Sequence, residues 1–464
     1  MLRRSFLAFK YNPPTRKHCE ICEDLHKLDH TPIISTYDGK ASKANDFPIH
    51  NWYNFVLGYT PEFPKYMFSK LGVDHNDVIL DPFMGSGTTL IYAKSIGVKS
   101  IGIDANDFMY KAGTIKLNWD RDVQQIKQEY SLLKKEIESQ ICDYDFDIAE
   151  NDNSISLFEE DVFKKKYKDV VKKYRPDMLT ERYISDKPFA KAILIRQIID
   201  NLKLVNRDLF QFALTSILVP ISNVSYGPGF GIKKPKDDVD VVNLFDLKIQ
   251  RIISDLDNIS DKQKETGHQL FLGDSRVMTK FVKPESISFI ITSPPYPGDH
   301  EYTKHTRLEL IFDGIATDLQ EFREIKKRMI RGSTTNIYKD DNDRQKVSKF
   351  ESIRQVTDEI QKRLDHDGAT SGFEKLYTKL VWEYFGGMYK TLEEAYKVLK
   401  PGGSIALLVS DSHAFKMVHI QTAKILGELG LDIGYRKSEI LLWQFKNSTS
   451  HKYDLREDIL ILTK

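Results

Sequence analysis

The stretch from Asp77 to Asp104 holds one complete supersecondary unit, and that unit limits the kind of sheet this chain can build. Asp77-Val78-Ile79-Leu80-Asp81 is a short β-type run that breaks at Pro82. Beyond Gly85 and Gly87, the residues Leu90, Ile91, Ala93 and Ile96 read as a helix, and Lys99 to Asp104 as a second strand. Two strands joined through a helix lie parallel in one sheet, so the fold class is α/β.

The loop between strand and helix is built for a ligand. Gly85 and Gly87 let a bound group approach the backbone, and the helix start offers unpaired N–H groups. It is not the G-x-G-x-x-G dinucleotide fingerprint, because Leu90 stands at the third glycine position. It is not a Walker loop either, since no G-K-[ST] follows. Asp104, 17 residues beyond Gly87, is placed to accept hydrogen bonds from two ribose hydroxyls. Asp274, closing a third strand at Gln269–Gly273, is a candidate acceptor for the exocyclic amine of an adenine. Both aspartates sit at carboxyl ends of parallel strands, the edge where α/β sheets bind ligands.

A fourth apolar run, Ile287 to Ile291, leads into Thr292-Ser293-Pro294-Pro295-Tyr296. The prolines fix φ and remove two N–H donors. What remains is a serine hydroxyl, accepting carbonyls and an aromatic face, which suits a planar ring bearing an amino group. Further on, a helix through Tyr389, Leu392, Ala395, Tyr396 and Leu399 stops at Pro401-Gly402-Gly403, with glycine taking the left-handed C-terminal position. Ser404 to Asp411 reads as a buried strand, and Ile440–Trp443 with Ile459–Leu462 as a closing antiparallel pair.

Two long segments interrupt this pattern. From about 116 to 263 the chain is mainly helical, with Asn206 a candidate helix cap and a loop at Ser225-Tyr226-Gly227-Pro228-Gly229-Phe230-Gly231 followed by Lys233, Lys234 and Lys236. Residues 300 to about 380 are polar, and within 321–363 twelve basic side chains outnumber eight acidic ones. That excess is a solvated charged face or a surface that tracks phosphates. Over the whole chain 68 basic residues meet 67 acidic ones, so a nucleic-acid partner must be met by a local surface. Three cysteines and no apolar run near 20 residues indicate a cytoplasmic protein without a membrane partner. His18-Cys19-Glu20-Ile21-Cys22 with His26 is half of a zinc site with no second half, so no metal is expected.

Taken together, Asp81-Pro82-Phe83-Met84-Gly85-Ser86-Gly87-Thr88-Thr89, the I-G-I-D strand at 101–104, L-G-D-S at 272–275 and T-S-P-P-Y at 292–296 resemble the amino-group DNA methyltransferases that depend on S-adenosylmethionine. L-K-P-G-G at 399–403 and R-E-D-I-L-I-L at 456–462 support the likeness, and Ile49 to Phe63 resembles that family's methionine-binding segment. The resemblance implies a seven-stranded, Rossmann-like class I methyltransferase sheet with helical insertions. It implies a catalytic core at 46–115 and 266–464, an N-terminal extension at 1–45 and a helical insertion at 116–265 that is a candidate for target recognition. The cofactor-binding residues would be Trp52, Asp81, Phe83, Gly85, Ser86, Gly87, Thr88, Asp104, Asp274 and Ser275. The catalytic ones would be Ser293, Pro294, Pro295 and Tyr296. Family members with serine first in the tetrad are mostly cytosine-N4 enzymes, so the expected activity is site-specific cytosine-N4 methylation of duplex DNA by base flipping. A cognate restriction endonuclease is the candidate protein partner. Adenine-N6 methylation is the alternative; an RNA base methyltransferase and a silent nucleic-acid-binding subunit are more distant ones.

Overall fold

The computed structural model describes residues 48–145, 165–226, 230–298, 300–367, 371–447 and 454–464. The Cys19/Cys22 half-site, the N-terminal extension and the glycines Gly227 and Gly229 lie outside the described residues.

Seven strands form one sheet: β1 (Val78–Asp81), β2 (Lys99–Asp104), β3 (His268–Leu272), β4 (Ile287–Thr292), β5 (Leu399–Ser410), β6 (Lys437–Asn447) and β7 (Asp454–Thr463). Their spatial order is β3-β2-β1-β4-β5-β7-β6. The first five are mutually parallel, while β7 runs antiparallel to β5 and to β6. Chain order reverses between β1 and β4, and the carboxyl edge at such a reversal opens a crevice.

Strand residues alternate between two cores, as the period of two requires. Leu80, Ile103, Ile290, Ile405 and Leu407 join one apolar cluster with the helix at Tyr377–Val398, whereas Ile79, Ile291, Ala406, Leu408 and Ile459 join another. The second is covered by α1 (Glu62–Leu71) through Phe63, Met67 and Phe68.

The largest cluster links α2 (Thr88–Ser95) and α3 (Asp107–Leu117) with the segment expected to be a separate insertion. Helices α4 (Val123–Ile141), α5 (Asp186–Asn201), α6 (Arg207–Thr215) and α7 (Val241–Asp257) contribute Ile126, Phe189, Phe210 and Phe245 to it. The insertion therefore shares its core with the glycine-loop side of the sheet. Helices dominate it, though Val224–Tyr226 pairs antiparallel with Phe230–Ile232.

Two local expectations are corrected. Asn206 does precede α6, but its amide bonds Glu129 and accepts from Arg121 instead of capping the helix. The helix at 377–398 ends on extended Leu399, and the left-handed Gly402 (φ +81°) turns the strand that follows.

In the charged segment, the arginines are engaged internally. Arg331 is buried against Asp341 at 2.9 Å, Arg328 pairs with Asp107, and Lys326 reaches Glu301 at 3.1 Å. The basic excess of that stretch thus contributes ion pairs that fasten it to α3 and to the chain after β4.

Candidate active site

Asp81, Asp104, Asp274 and Ser293 all stand at or just past the carboxyl ends of β1, β2, β3 and β4. Gly85 and Gly87 adopt φ of +51° and +90°, the left-handed region that other residues avoid, and a Cβ on Gly85 would meet nothing within 4 Å. The loop thereby curls over β2 with open space above it. Asp104 fixes it from below: its Oδ2 accepts from Gly85 N–H at 2.8 Å and its Oδ1 from Asn106 N–H at 2.8 Å. Each oxygen keeps a lone pair for another donor. Burial pushes the Asp104 carboxyl up to about 6, backbone hydrogen bonds from Asn106 and Gly85 hold it down, and the charge of Asp81 adds to the rise.

Asp81 joins the two halves of the crevice. It is fully buried and accepts from Thr292 Oγ1 at 2.5 Å, Tyr59 Oη at 2.7 Å and Phe83 N–H at 3.1 Å. The first residue of the glycine-loop motif is thus bonded to the first residue of T-S-P-P-Y. Burial raises the Asp81 carboxyl to about 6 against those hydrogen bonds. It lies beneath the loop and ties β1 to β4. Phe83 stands beside it, half-buried against the cluster behind β1, and Thr88 opens α2.

Ser293 is held with its lone pairs free. Its Oγ donates to the Leu408 carbonyl on β5 at 3.0 Å and lies 3.3 Å from the Tyr296 hydroxyl, which itself donates to Glu457 Oε1 at 2.9 Å. A carbonyl and a carboxylate can only accept, so both hydroxyl protons are committed and Ser293 Oγ faces a newcomer as an acceptor. Among the described residues nothing donates to the Pro294 carbonyl, whereas that of Pro295 takes the Tyr384 hydroxyl at 2.9 Å. Tyr302, just past the motif, sits close enough for the charge of Asp104 to raise its phenol, an effect secondary to burial.

Three of the expected ligand residues have partners within the fold. Trp52 is 0% exposed, and its indole N–H donates to Asp255 Oδ2 at 2.8 Å, the atom that also accepts from Ile49 N–H. Losing that carboxylate would orphan two buried donors, at about 1–3 kcal/mol each. Ser275 is buried with its hydroxyl 3.1 Å from that of Thr391. Asp274 gives its carboxylate to Arg276, whose Nη2 lies at 2.7 Å and whose Nη1 reaches Asp343 at 2.6 Å. For Trp52 and Ser275 the physical reason is burial, since buried polar atoms need partners; Asp274 is only half-buried and is held by the charge of Arg276.

Some residues with a bearing on the site carry no motif. Lys116 on α3 is fully buried, donates to the His50 carbonyl and to Ser86 Oγ at 3.3 Å each, and has no carboxylate partner among the described residues. Burial, aided by Lys248, lowers its ammonium to about 7. Glu309, on the helix Arg307–Phe312 (α8), is fully buried; its Oε1 accepts from Tyr53 Oη at 3.0 Å while Oε2 lacks a partner. Burial pushes its carboxyl up to about 8. A raised acid stabilises the fold at low pH and loses that contribution as pH climbs through about 8. Calorimetric melting of wild type should therefore decline between pH 6 and 9 relative to Glu309→Gln, by a stability difference of about 3 kcal/mol. Parallel profiles would refute the assignment.

The strand order, the glycine loop and the aspartates along one edge define a class I methyltransferase fold. The donor set fits S-adenosylmethionine: a carboxylate with free lone pairs for ribose hydroxyls beneath an open glycine loop. Comparison with known proteins carries the assignment further. A family model described as DNA methylase, for N6 and N4 enzymes, matches residues 25–115. The chain is 22% identical to the Type II methyltransferase M.BsoBI of Geobacillus stearothermophilus, over 97% of this chain and 91% of that protein. It is 22% identical to the Type II methyltransferase M.AvaI of Nostoc, over 90% and 84% respectively. A shorter match, 30% identical over 28% of this chain and 25% of the other, is to the Type II methyltransferase M.MjaII of Methanocaldococcus jannaschii. These matches support an amino-group DNA methyltransferase of the N4/N6 family, enzymes whose methyl donor is S-adenosylmethionine. No helix among the described residues is long and apolar enough to cross a membrane, and none of their acidic, histidine or cysteine side chains group as a metal site.

Proposed function

We propose that this protein methylates the N4 amino group of cytosine in duplex DNA, as the modification half of a Type II restriction–modification pair with a cognate endonuclease. The observation that carries the reading is Ser293: a hydroxyl whose proton is spent on the Leu408 carbonyl and whose lone pairs are open. An exocyclic amine has its own lone pair delocalised into the ring. Accepting its two N–H bonds, one at Ser293 Oγ and one at the Pro294 carbonyl, draws the nitrogen toward tetrahedral geometry and returns that pair to it. Tyr296 offers its ring to the extruded base, which must leave the duplex to be reached. When bound, S-adenosylmethionine supplies a methyl on a positively charged sulfur, so the chain has to position the amine rather than deprotonate it first. Asp104 would hold the ribose, the Gly85–Gly87 loop the chain beyond it, and Lys116 with Ser86 the anionic end.

Serine in place of a carboxylate or amide favours cytosine over adenine, and the likeness to Type II methyltransferases favours a restriction–modification setting. For reading the target sequence we assign the helical segment at 116–265, where Lys233, Lys234 and Lys236 follow the pairing of Val224–Tyr226 with Phe230–Ile232. DNA from cells expressing the protein, digested to nucleosides and weighed, should contain N4-methylcytosine. Finding N6-methyladenine alone would overturn the choice of base.

A further inference from the structure

Glu457 lies on β7 within the R-E-D-I-L-I-L run, far in sequence from the glycine loop and T-S-P-P-Y, yet it is the residue on which the catalytic turn leans. Its side chain is 2% exposed and takes three donors: the Tyr296 hydroxyl at 2.9 Å, the Gln444 amide, and the Lys446 ammonium. A buried carboxylate needs such compensation, and removing it strands what it held.

The backbone is shaped to bring these groups together. Opposite Glu457 and Asp458, β6 carries one extra residue: Leu442 pairs with Asp458 and Gln444 with Glu457, leaving Trp443 as a bulge. Side chains on a regular strand alternate, so Leu442 and Gln444 would share a face. The bulge breaks that alternation and puts Gln444 and Lys446 on the face of Glu457. Trp443 itself packs against Phe63 and Tyr66, with ring centroids at 6.0 and 5.6 Å, which pins the irregularity in place. Neighbouring Arg456 and Asp458 pair with each other at 2.8 Å on the opposite face, so the Glu457 cluster is separate from theirs.

We propose that Glu457 is a positioning residue for methyl transfer: by taking the Tyr296 proton it keeps the Ser293 oxygen an acceptor for the target amine. The inference rests on the reading of Ser293 as that acceptor. The Tyr296 hydroxyl is 3.3 Å from Ser293 Oγ, and with no stronger acceptor it would turn its proton there. One of the two serine lone pairs would then be occupied, and the amine would have to compete with tyrosine for the acceptor. The carboxylate thus acts through tyrosine on serine, without touching DNA or donor.

The test is a double-mutant cycle with Glu457→Ala and Tyr296→Phe, scored by single-turnover rate, DNA affinity and donor affinity. Glu457→Ala should slow transfer about ten- to a hundredfold, the worth of one hydrogen bond to a charged group, with both affinities within about twofold of wild type. Glu457→Gln, which retains an acceptor for Tyr296, should recover most of that rate and guards against a loss that is merely one of folding. In the Tyr296→Phe background there is no hydroxyl to redirect, so adding Glu457→Ala should cost nothing further. Additive losses, or Glu457→Gln as slow as Glu457→Ala, would overturn the proposal. Ser293→Ala separates the two levels of the argument. Full turnover in that variant would remove the acceptor reading itself, whereas additivity alongside an inactive Ser293→Ala would remove only the role of Glu457.

Discussion

Ser293→Ala should lower the rate of methyl transfer by about 10²- to 10³-fold, the range seen when one preorganised polar group is taken from a reacting centre. Affinity for S-adenosylmethionine should hardly change. The asymmetry follows from where the hydroxyl sits. It lies past the end of β4, bonded to Leu408 on β5, and neither partner touches the glycine loop or Asp104. Its neighbours stay in place when it is removed, because Tyr296 is anchored to Glu457 and the Pro295 carbonyl to Tyr384. What disappears is one of two acceptors for the amine N–H groups. The Pro294 carbonyl remains, so a residual rate should persist. Rapid-quench transfer of labelled methyl, beside calorimetric donor binding, would measure both quantities. A variant that loses donor affinity as much as rate, or loses neither, contradicts the role given to Ser293.

The parts of this site that show in the sequence are those where backbone conformation demands a residue type. Gly85 and Gly87 occupy positive φ, the two prolines remove donors beside an acceptor, and Asp104 ends a strand two residues after a glycine. Such demands leave local marks. The closing strands were legible too, since their apolar runs are long. Glu457 was not legible as a site residue, because its bond to Tyr296 spans 161 positions and depends on a bulge that no local pattern announces. Asp81 was legible as a site residue, but its tie to Thr292 was not, since that bond is made only when β1 and β4 come together. For Trp52 and Ser275 the fold adds partners that the sequence does not show. Their neighbours resemble ligand-binding segments, but a buried indole N–H and a buried hydroxyl are satisfied first by Asp255 and Thr391. Charge counting alone did not show which basic side chains of the segment after β4 are engaged inside the fold, as Arg328 and Arg331 are with Asp107 and Asp341.

Donor binding should depend on pH through Asp104, and the sign can be worked out. Burial raises this carboxyl to about 6 in the free protein, so below that value it carries a proton. A protonated carboxyl has lost an acceptor and gained a donor, which is the wrong complement for two ribose hydroxyls. Affinity for S-adenosylmethionine should be flat above about pH 6 and fall about tenfold per unit below it. In the free fold the raised acid contributes stability that is lost as pH rises through about 6. Ligand hydroxyls offset that loss, so the rise in melting temperature produced by the donor should grow from pH 5 to pH 7. Asp104→Asn should weaken donor binding about a hundredfold, since hydrogen bonds to a charged group are worth about 1.5–3 kcal/mol. It should also abolish the pH dependence, because an amide does not titrate. Asp81 also stands at about 6 but is sealed beneath the loop, so Asp81→Asn should leave the slope of donor affinity with pH in place. If Asp104→Asn binds the donor with an undiminished pH slope, the carboxylate at the end of β2 is not the ribose acceptor, and the glycine loop must hold the nucleoside by other atoms.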